Sequence, residues 1–458
     1  MRFIATTIAA VGLLALVSTA AQADDYASSR DVQSAVDSYM ATGSEDASLV
    51  GGTGSAGYDS GFWIRGGDFL LRINLTLQAR YEYFYYDKEV EGEDPYRHDL
   101  SGFSVPRALL KVSGTAPCST RYYLEMDFGH MVPDNFNIEG EEYPVTSQAF
   151  NYDTMREAWI EWGCSDAFTF RLGLFKTPTT RQMMVPAELQ QFVDISMASS
   201  ITGWMMPGYT DRNRDYGLMI HGLIGCSNEF QYMFAVQNGD GGDHQRNVLD
   251  LQTSDNMSFS GRINWTFLQG IGYTEGATRQ NTCVWYGEFG LWGFYYADRV
   301  DRPHVAVANR TVFGADLALG YGGFSFTGAY TYADISDSDV GIDDATASIF
   351  LAQAGYHFPG SAWEFVARWS AYTVTVTDPG GAGDIEPKTN EFAFGVNYYL
   401  NGHGNKITID ATFIKSESDT LGGNTMNGGW YDVYAGVPLG WIEDGSHVLV
   451  RVQWQLAL

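Results

Sequence analysis

Between Asp68 and Tyr85 every second residue is apolar or aromatic: Phe69, Leu71, Ile73, Leu75, Leu77, Ala79, Tyr81, Tyr83 and Tyr85. The positions between them include Asp68, Arg72, Asn74, Thr76, Gln78, Arg80 and Glu82. A period of two puts one apolar and one polar face on a single strand. Strands of water-soluble proteins run about five or six residues. A strand that crosses a bilayer needs about 9–11, and tyrosines gather where it leaves the hydrocarbon. Here the tyrosines sit at one end. The pattern predicts an all-β chain, a transmembrane antiparallel β-barrel.

The same grammar recurs to the last residue. Apolar faces include Tyr122/Leu124/Met126/Phe128, Phe168/Phe170/Leu172/Leu174, Phe230/Tyr232/Phe234/Val236, Phe392/Phe394/Val396/Tyr398 and Val448/Val450/Val452/Trp454/Leu456/Leu458. Short connections alternate with long ones. The short ones include Gly114–Thr120, Gly163–Ala167, Gly225–Glu229 and Tyr321–Gly323. The long ones lie near 87–100, 129–152, 176–214, 239–256, 299–310, 334–344, 375–389 and 416–446. Short periplasmic turns at one rim and long external loops at the other mark an outer-membrane barrel, and the rhythm gives about 16 strands. A secreted sandwich or propeller explains the alternation but neither the strand length nor this rhythm.

Three segments are expected. Residues 1–23 carry Arg2, an apolar stretch from Ile4 to Val17 and Ala21-Gln22-Ala23, the marks of a signal peptide. Residues 24–60 read as an acidic flexible segment, with a glycine-rich linker at 51–57. Residues 61–458 form the barrel. Lys and Arg number 27 against 55 Asp and Glu, a formal charge of −28, so nucleic acid is not an expected partner. The expected partners are the lipid bilayer, lipopolysaccharide and small anionic solutes.

No catalytic residue, metal site or cofactor is expected. The eight histidines form no H-E-x-x-H, and neither a G-x-S-x-G nor a phosphate-binding P-loop occurs. Cys118, Cys164, Cys226 and Cys283 fall in or beside short-turn connections. An even number in an oxidising compartment makes them candidate disulfides, with Cys118–Cys164 and Cys226–Cys283 as the pairing to test; four free, buried thiols are the other reading.

From about Gly61 onward the chain resembles the phosphate-selective porin family (porins O and P). The segments that carry it are Gly102–Gly114 (GFSVPRALLKVSG), Tyr122–Gly129 (YYLEMDFG), Arg156–Trp162 (REAWIEW), Arg171–Pro178 (RLGLFKTP) and Arg214–Gly222 (RDYGLMIHG). The resemblance implies a 16-stranded homotrimeric barrel that passes anions through a water-filled pore, with the third long loop, 176–214, folded inward as the constriction. Only six lysines occur, and Leu109 stands where the family would place a second inward arginine. An anion preference is expected, with phosphate or polyphosphate as candidate solutes, although the lysine cluster for phosphate is missing.

Alternation assigns Arg72, Arg80, Arg107, Lys111, Arg121, Arg156, Arg171, Arg262, Arg368, Lys406 and Arg451 to the lumen, because a charge on the lipid face costs up to about 2–4 kcal/mol at mid-depth. The constriction is expected from Arg107, Lys111, Arg121, Arg156 and Arg171 on the wall and from Lys176, Arg181, Arg212 and Arg214 on the loop. These cations either focus the field on a solute or pair with wall carboxylates such as Glu82, Glu125 and Asp127. The alternatives to a porin are a rim-located barrel hydrolase and a plugged structural or adhesive barrel marked by heavy loop packing.

Overall fold

A computed structural model describes residues 54–59, 61–87, 99–129, 137–138, 141–142, 155–206, 213–225, 227, 229–239, 257–276, 284–296, 309–336, 345–376, 386, 388–417 and 445–458. Residues 1–23, where a signal peptide is expected, and almost all of the acidic segment lie outside them. The chain divides between Ser55 and Ala56 into two units, and the barrel belongs to the second. Part of the glycine-rich linker forms a five-residue strand, Gly54–Tyr58.

Sixteen strands close into an antiparallel barrel. The first eight are Phe69–Asp87, Asp99–Ala116, Thr120–Asp127, Met155–Ser165, Phe168–Lys176, Arg214–Ile224, Phe230–Gln237 and Ser258–Thr266. The other eight are Trp285–Tyr296, Asn309–Tyr321, Phe324–Ser336, Ala345–His357, Trp363–Val376, Lys388–Asn401, Asn405–Glu417 and Gly445–Ala457. Each pairs with its sequence neighbour, and the last closes on the first from Ser446↔Asp87 to Ala457↔Thr76. At the short-turn rim a strand Phe62–Gly66 pairs with the start of the first barrel strand, Gly66↔Phe69 to Phe62↔Ile73.

The alternation sorts the two faces as expected. In the first strand Leu75 and Leu77 are 45% and 48% exposed, while Thr76, Gln78 and Arg80 are 3%, 0% and 4% exposed. The ends of the described strands bracket the expected long loops. One connection on the short-turn rim does not fit the rhythm. It runs from Phe267 to Val284, and its residues 268–276 reach loop residues inside the barrel.

The lumen is less polar than expected. Trp292, Phe294, Tyr296, Val312, Ala333, Ala347, Ile349 and Leu351 are buried together with Ala198, Ile201, Met205 and Met206. Those last four belong to or follow the helix Met197–Trp204 of the third loop. An amphipathic helix inside a barrel needs an apolar wall to pack against. The strand Trp285–Tyr296 supplies it while keeping Leu291 and Tyr295 exposed on the outer face, so its second half, residues 291–296, is apolar on both sides.

Candidate functional site

The third loop leaves the strand Phe168–Lys176 and turns into the barrel at once. Asn213, at φ 62, ties its two ends: its carbonyl accepts from Thr177 N (2.8 Å), and its Nδ2 donates to Thr177 O (2.9 Å) and Thr179 Oγ1 (2.7 Å). Further in, Ser196 Oγ caps the helix by accepting from Ser199 N at 3.1 Å. A Ser at this position satisfies a backbone donor that the helix leaves open.

Charge fixes the loop to the wall. Asp194 is the hub: Oδ2 accepts from Arg80 (2.8 Å) and Arg451 (3.1 Å), and Oδ1 accepts from Arg107 (2.7 Å). Arg451 also makes a two-pronged pair with Asp410 (2.8 and 2.9 Å), whose Oδ2 accepts from Val193 N (3.1 Å). Arg368 donates to Glu391 (2.7 Å) and to the Asp194 carbonyl (3.0 Å). On another side Arg181 donates to Glu288 (2.6 Å), and its backbone N donates to Asp316 (2.9 Å), itself held by both prongs of Arg262 (2.7 Å each).

The connection 268–276 locks this arrangement. Gly272 and Gly276, at φ 67 and 82, let it turn back on itself in a backbone region that only glycine enters freely. Glu275 accepts from Gln182 Nε2, Gln191 N and Gln353 Nε2, each at 2.9 Å, and the Gly272 carbonyl accepts from Arg181.

Between the loop residues 183–188 and the wall lies a cavity of about 340 Å³. Its lining includes the cations Arg107, Lys111, Arg156, Lys176 and Arg214 and the carboxylates Glu125, Glu157 and Glu188. Arg156 pairs with Asp127 (2.9 Å), Arg214 with Glu157 (2.9 Å), and Lys111 with Glu188. Lys176 has no carboxylate within 4 Å among the described residues; its ammonium donates to the carbonyls of Met183 (3.1 Å), Met184 (3.2 Å) and Val185 (3.2 Å). Tyr123 and Trp159 stack at 5.4 Å on the wall.

Two loop carboxyls are shifted. Burial opposes the charge of Asp194, but Arg80, Arg107 and Arg451 together hold it well below the ordinary carboxylate range. Burial likewise opposes Glu188, and Lys111 brings it below its ordinary value.

The structure thus brings together Arg107, Lys111, Arg156, Lys176 and Arg214, with Lys176 and Arg214 as strand-terminal residues at the loop's two ends. It separates the rest. Arg181 faces Glu288 and Tyr273, away from the cavity lining. Arg121 and Arg171 meet on Glu161 (2.7 Å each), which His221 also contacts (2.7 Å). Arg212, Cys226 and Cys283 lie outside the described residues. Cys118 and Cys164 are free and exposed, so the Cys118–Cys164 bridge is not formed. Cys118 takes a left-handed turn (φ 63), and the ladder is irregular between Gly163 and Ser165, so neither thiol continues a regular pairing. Arg107, Arg121, Arg156, Arg171, Arg181 and Arg214 all have carboxylate partners, so pairing across the wall describes these arginines better than free focusing charges. The sequence reading missed Asp194, Glu275 and the inward connection; only the glycine-rich run 270–276 hinted at the last.

The family described as phosphate-selective porin O and P matches residues 73–281. No curated protein matches the chain. Among solved structures, the anion-selective porin from Comamonas acidovorans is similar, with 13% identity, covering 85% of this chain and 100% of that one at a TM-score of 0.51. OmpT, an outer membrane protein of Vibrio cholerae, is similar with 10% identity, covering 86% and 99% at 0.51. At such identities these structures establish the fold. The family match spans every residue of the cavity lining, so the resemblance read from the sequence extends over this site, and the chain has the fold of an outer-membrane porin barrel.

Proposed function

We propose that the protein passes small hydrophilic solutes passively, with a weak to moderate preference for anions, and that it assembles as a homotrimer. One observation carries the preference: among the described residues five cations and three carboxylates line the cavity, and Lys176 has no carboxylate partner. Two unit charges about 4 Å apart interact by roughly 4 kcal/mol at an effective dielectric near 20, against about 1 in water, so an excess of cations along the cavity outweighs many solvated loop carboxylates. The anion selectivity of the Comamonas acidovorans barrel is in keeping with this reading. Phosphate-specific binding is not part of it, since the lining holds only two lysines.

Reversal potentials in a KCl gradient test the proposal. The sign should report anion preference, and Lys176→Met should reduce it. Cation preference of the wild type would overturn it and assign control to Glu125, Glu157 and Glu188. The loop and the inward connection together favour a second reading, a plugged barrel; protein that inserts in planar bilayers without conductance steps would support that instead. Cross-linking in native membranes that yields monomer alone would count against the trimer.

A further inference from the structure

Resting on the porin reading, we infer that solutes cross by one eccentric route, along the inner face of the four strands from Asp99–Ala116 to Phe168–Lys176, and that the opposite arc of the lumen carries no current.

Two observations carry this. The first is which inward residues stay accessible towards the short-turn rim. From Phe324–Ser336 to Gly445–Ala457 they are sealed: Gln353, Glu364, Asn397, Thr408 and Gln455 are at most 1% exposed, and Ser325 is 5% exposed. The arc opposite is open. Ser113, Tyr123 and Trp159 stand in one tier by register and are half-buried. Two residues nearer the rim, the side chains of Arg121 and Arg171 are 52% and 21% exposed. Tyr123 and Trp159 also line the cavity beside the loop, and Arg171 packs over Trp159 at 3.9 Å. An accessible surface thus runs from the cavity past this tier to the short-turn mouth.

The second observation is what seals the far arc. The loop run 188–192 is stitched to it. Gln191 Nε2 donates to Ser325 Oγ and to Glu364 (2.9 Å each), and the carbonyls of Gln191 and Glu188 accept from Asn397 (2.8 Å) and Gln455 (2.9 Å). Phe192 is buried against Val366 and Ala393, and nearer the long loops the helix Met197–Trp204 packs on the apolar wall. A hydrated ion finds no room where side chains are close-packed and polar groups are already paired. The loop meets the near arc differently. Long side chains reach across a gap, Lys111 to Glu188 and Arg107 to Asp194 (2.7 Å), and the cavity lies among them.

The test uses the full-length protein in planar bilayers under a KCl gradient, with Cys118, Cys164, Cys226 and Cys283 each replaced by Ser. A single cysteine is then placed on each arc at matched depth, Ser113→Cys and Thr327→Cys, each the fourth residue from the short-turn end of its strand. Two methanethiosulfonate reagents are the probes, one adding a sulfonate and the other a trimethylammonium group. A charge fixed on the conducting route alters selectivity, whereas one in a dry wall meets no ion. At Ser113→Cys both reagents should lower the conductance; the sulfonate should move the reversal potential towards cation preference and the trimethylammonium towards anion preference. At Thr327→Cys neither reagent should change either reading. Thr115→Cys, inward on the same strand as Ser113, keeps the test open if Ser113→Cys does not assemble. Charge-dependent shifts of equal size at Ser113→Cys and Thr327→Cys overturn the inference, since the lumen then conducts on both sides. A KCl current that neither cysteine affects places the route elsewhere and overturns it as well. A protein that conducts nothing overturns the porin reading beneath it.

Discussion

Asp194 shows what a single buried charge does in this barrel. Three arginines from three strands converge on it, and each was placed inward by alternation alone. The carboxylate itself was not legible. It lies in a loop without a repeat, and its partners are 114, 87 and 257 residues away in sequence, so only barrel closure assembles the cluster. Removing one member of a buried ion pair strands the others, at about 3–5 kcal/mol. Asp194→Asn should therefore detach the loop. The expected signs are faster proteolysis within 186–206 and noisier single-channel currents; wild-type behaviour in both would show that Asp410 and Glu391 hold the loop unaided. A pH prediction follows from the same geometry. A carboxyl whose value is lowered in the folded state stabilises that state above its ordinary titration range, and the stabilisation is lost only as pH falls through the lowered value. Asp194 is held well below the ordinary range and Glu188 below its own. The loop should thus stay fixed from pH 7 to about 4, where a free aspartate titrates. Single-channel conductance at constant salt should be flat over that interval; a transition centred near 4 would mean that Asp194 is not paired in the working channel.

Among elements, the strands were read correctly because their signal is local: a period of two survives without knowledge of the partner strand. The inward connection was not, because its structure depends on what it meets. Residues 268–276 form no strand and carry no motif, yet Glu275 alone accepts three hydrogen bonds from groups on the loop and the wall. The apolar inner face of residues 291–296 was hidden for a related reason. A strand apolar on both sides loses its alternation, and its inner partner, the helix Met197–Trp204, is remote in sequence. Glu275→Ala should leave the Gln191 backbone N without its acceptor and Gln182 Nε2 with Gln353 Oε1 alone (3.3 Å), at about 1–3 kcal/mol for a buried group left unsatisfied. Since the barrel wall is untouched, the expected outcome is a correctly assembled protein with higher and more variable single-channel conductance. Unchanged conductance would show that the connection braces the barrel without narrowing the passage.

At the scale of the whole molecule the usual arrangement of polarity is inverted. Arg262, Arg451, Lys406, Gln78 and Gln353 are among the largest fully buried side chains, while Phe103, Leu172, Phe394 and Trp454 are among the most exposed apolar ones. This is stable only if hydrocarbon surrounds the wall and every backbone group finds its partner within a closed sheet. Residues on the two faces of the wall should then respond oppositely to the same chemistry. Leu172 lies midway along Phe168–Lys176 and is 65% exposed on the outer face, whereas Arg171, next to it, points inward to Glu161 and packs over Trp159 at 3.9 Å. Leu172→Arg should cost about 2–4 kcal/mol if the residue sits near the bilayer midplane, less if it sits closer to an interface. An arginine at Ser113, on the inward face of Asp99–Ala116, meets the lumen and should alter conductance while leaving stability near that of the wild type. Equilibrium unfolding in urea from lipid vesicles measures both. Equal destabilisation by the two arginines would mean that the faces are not separated by solvent as the alternation requires, and the outer-membrane reading, which rests on that separation, would fall with it.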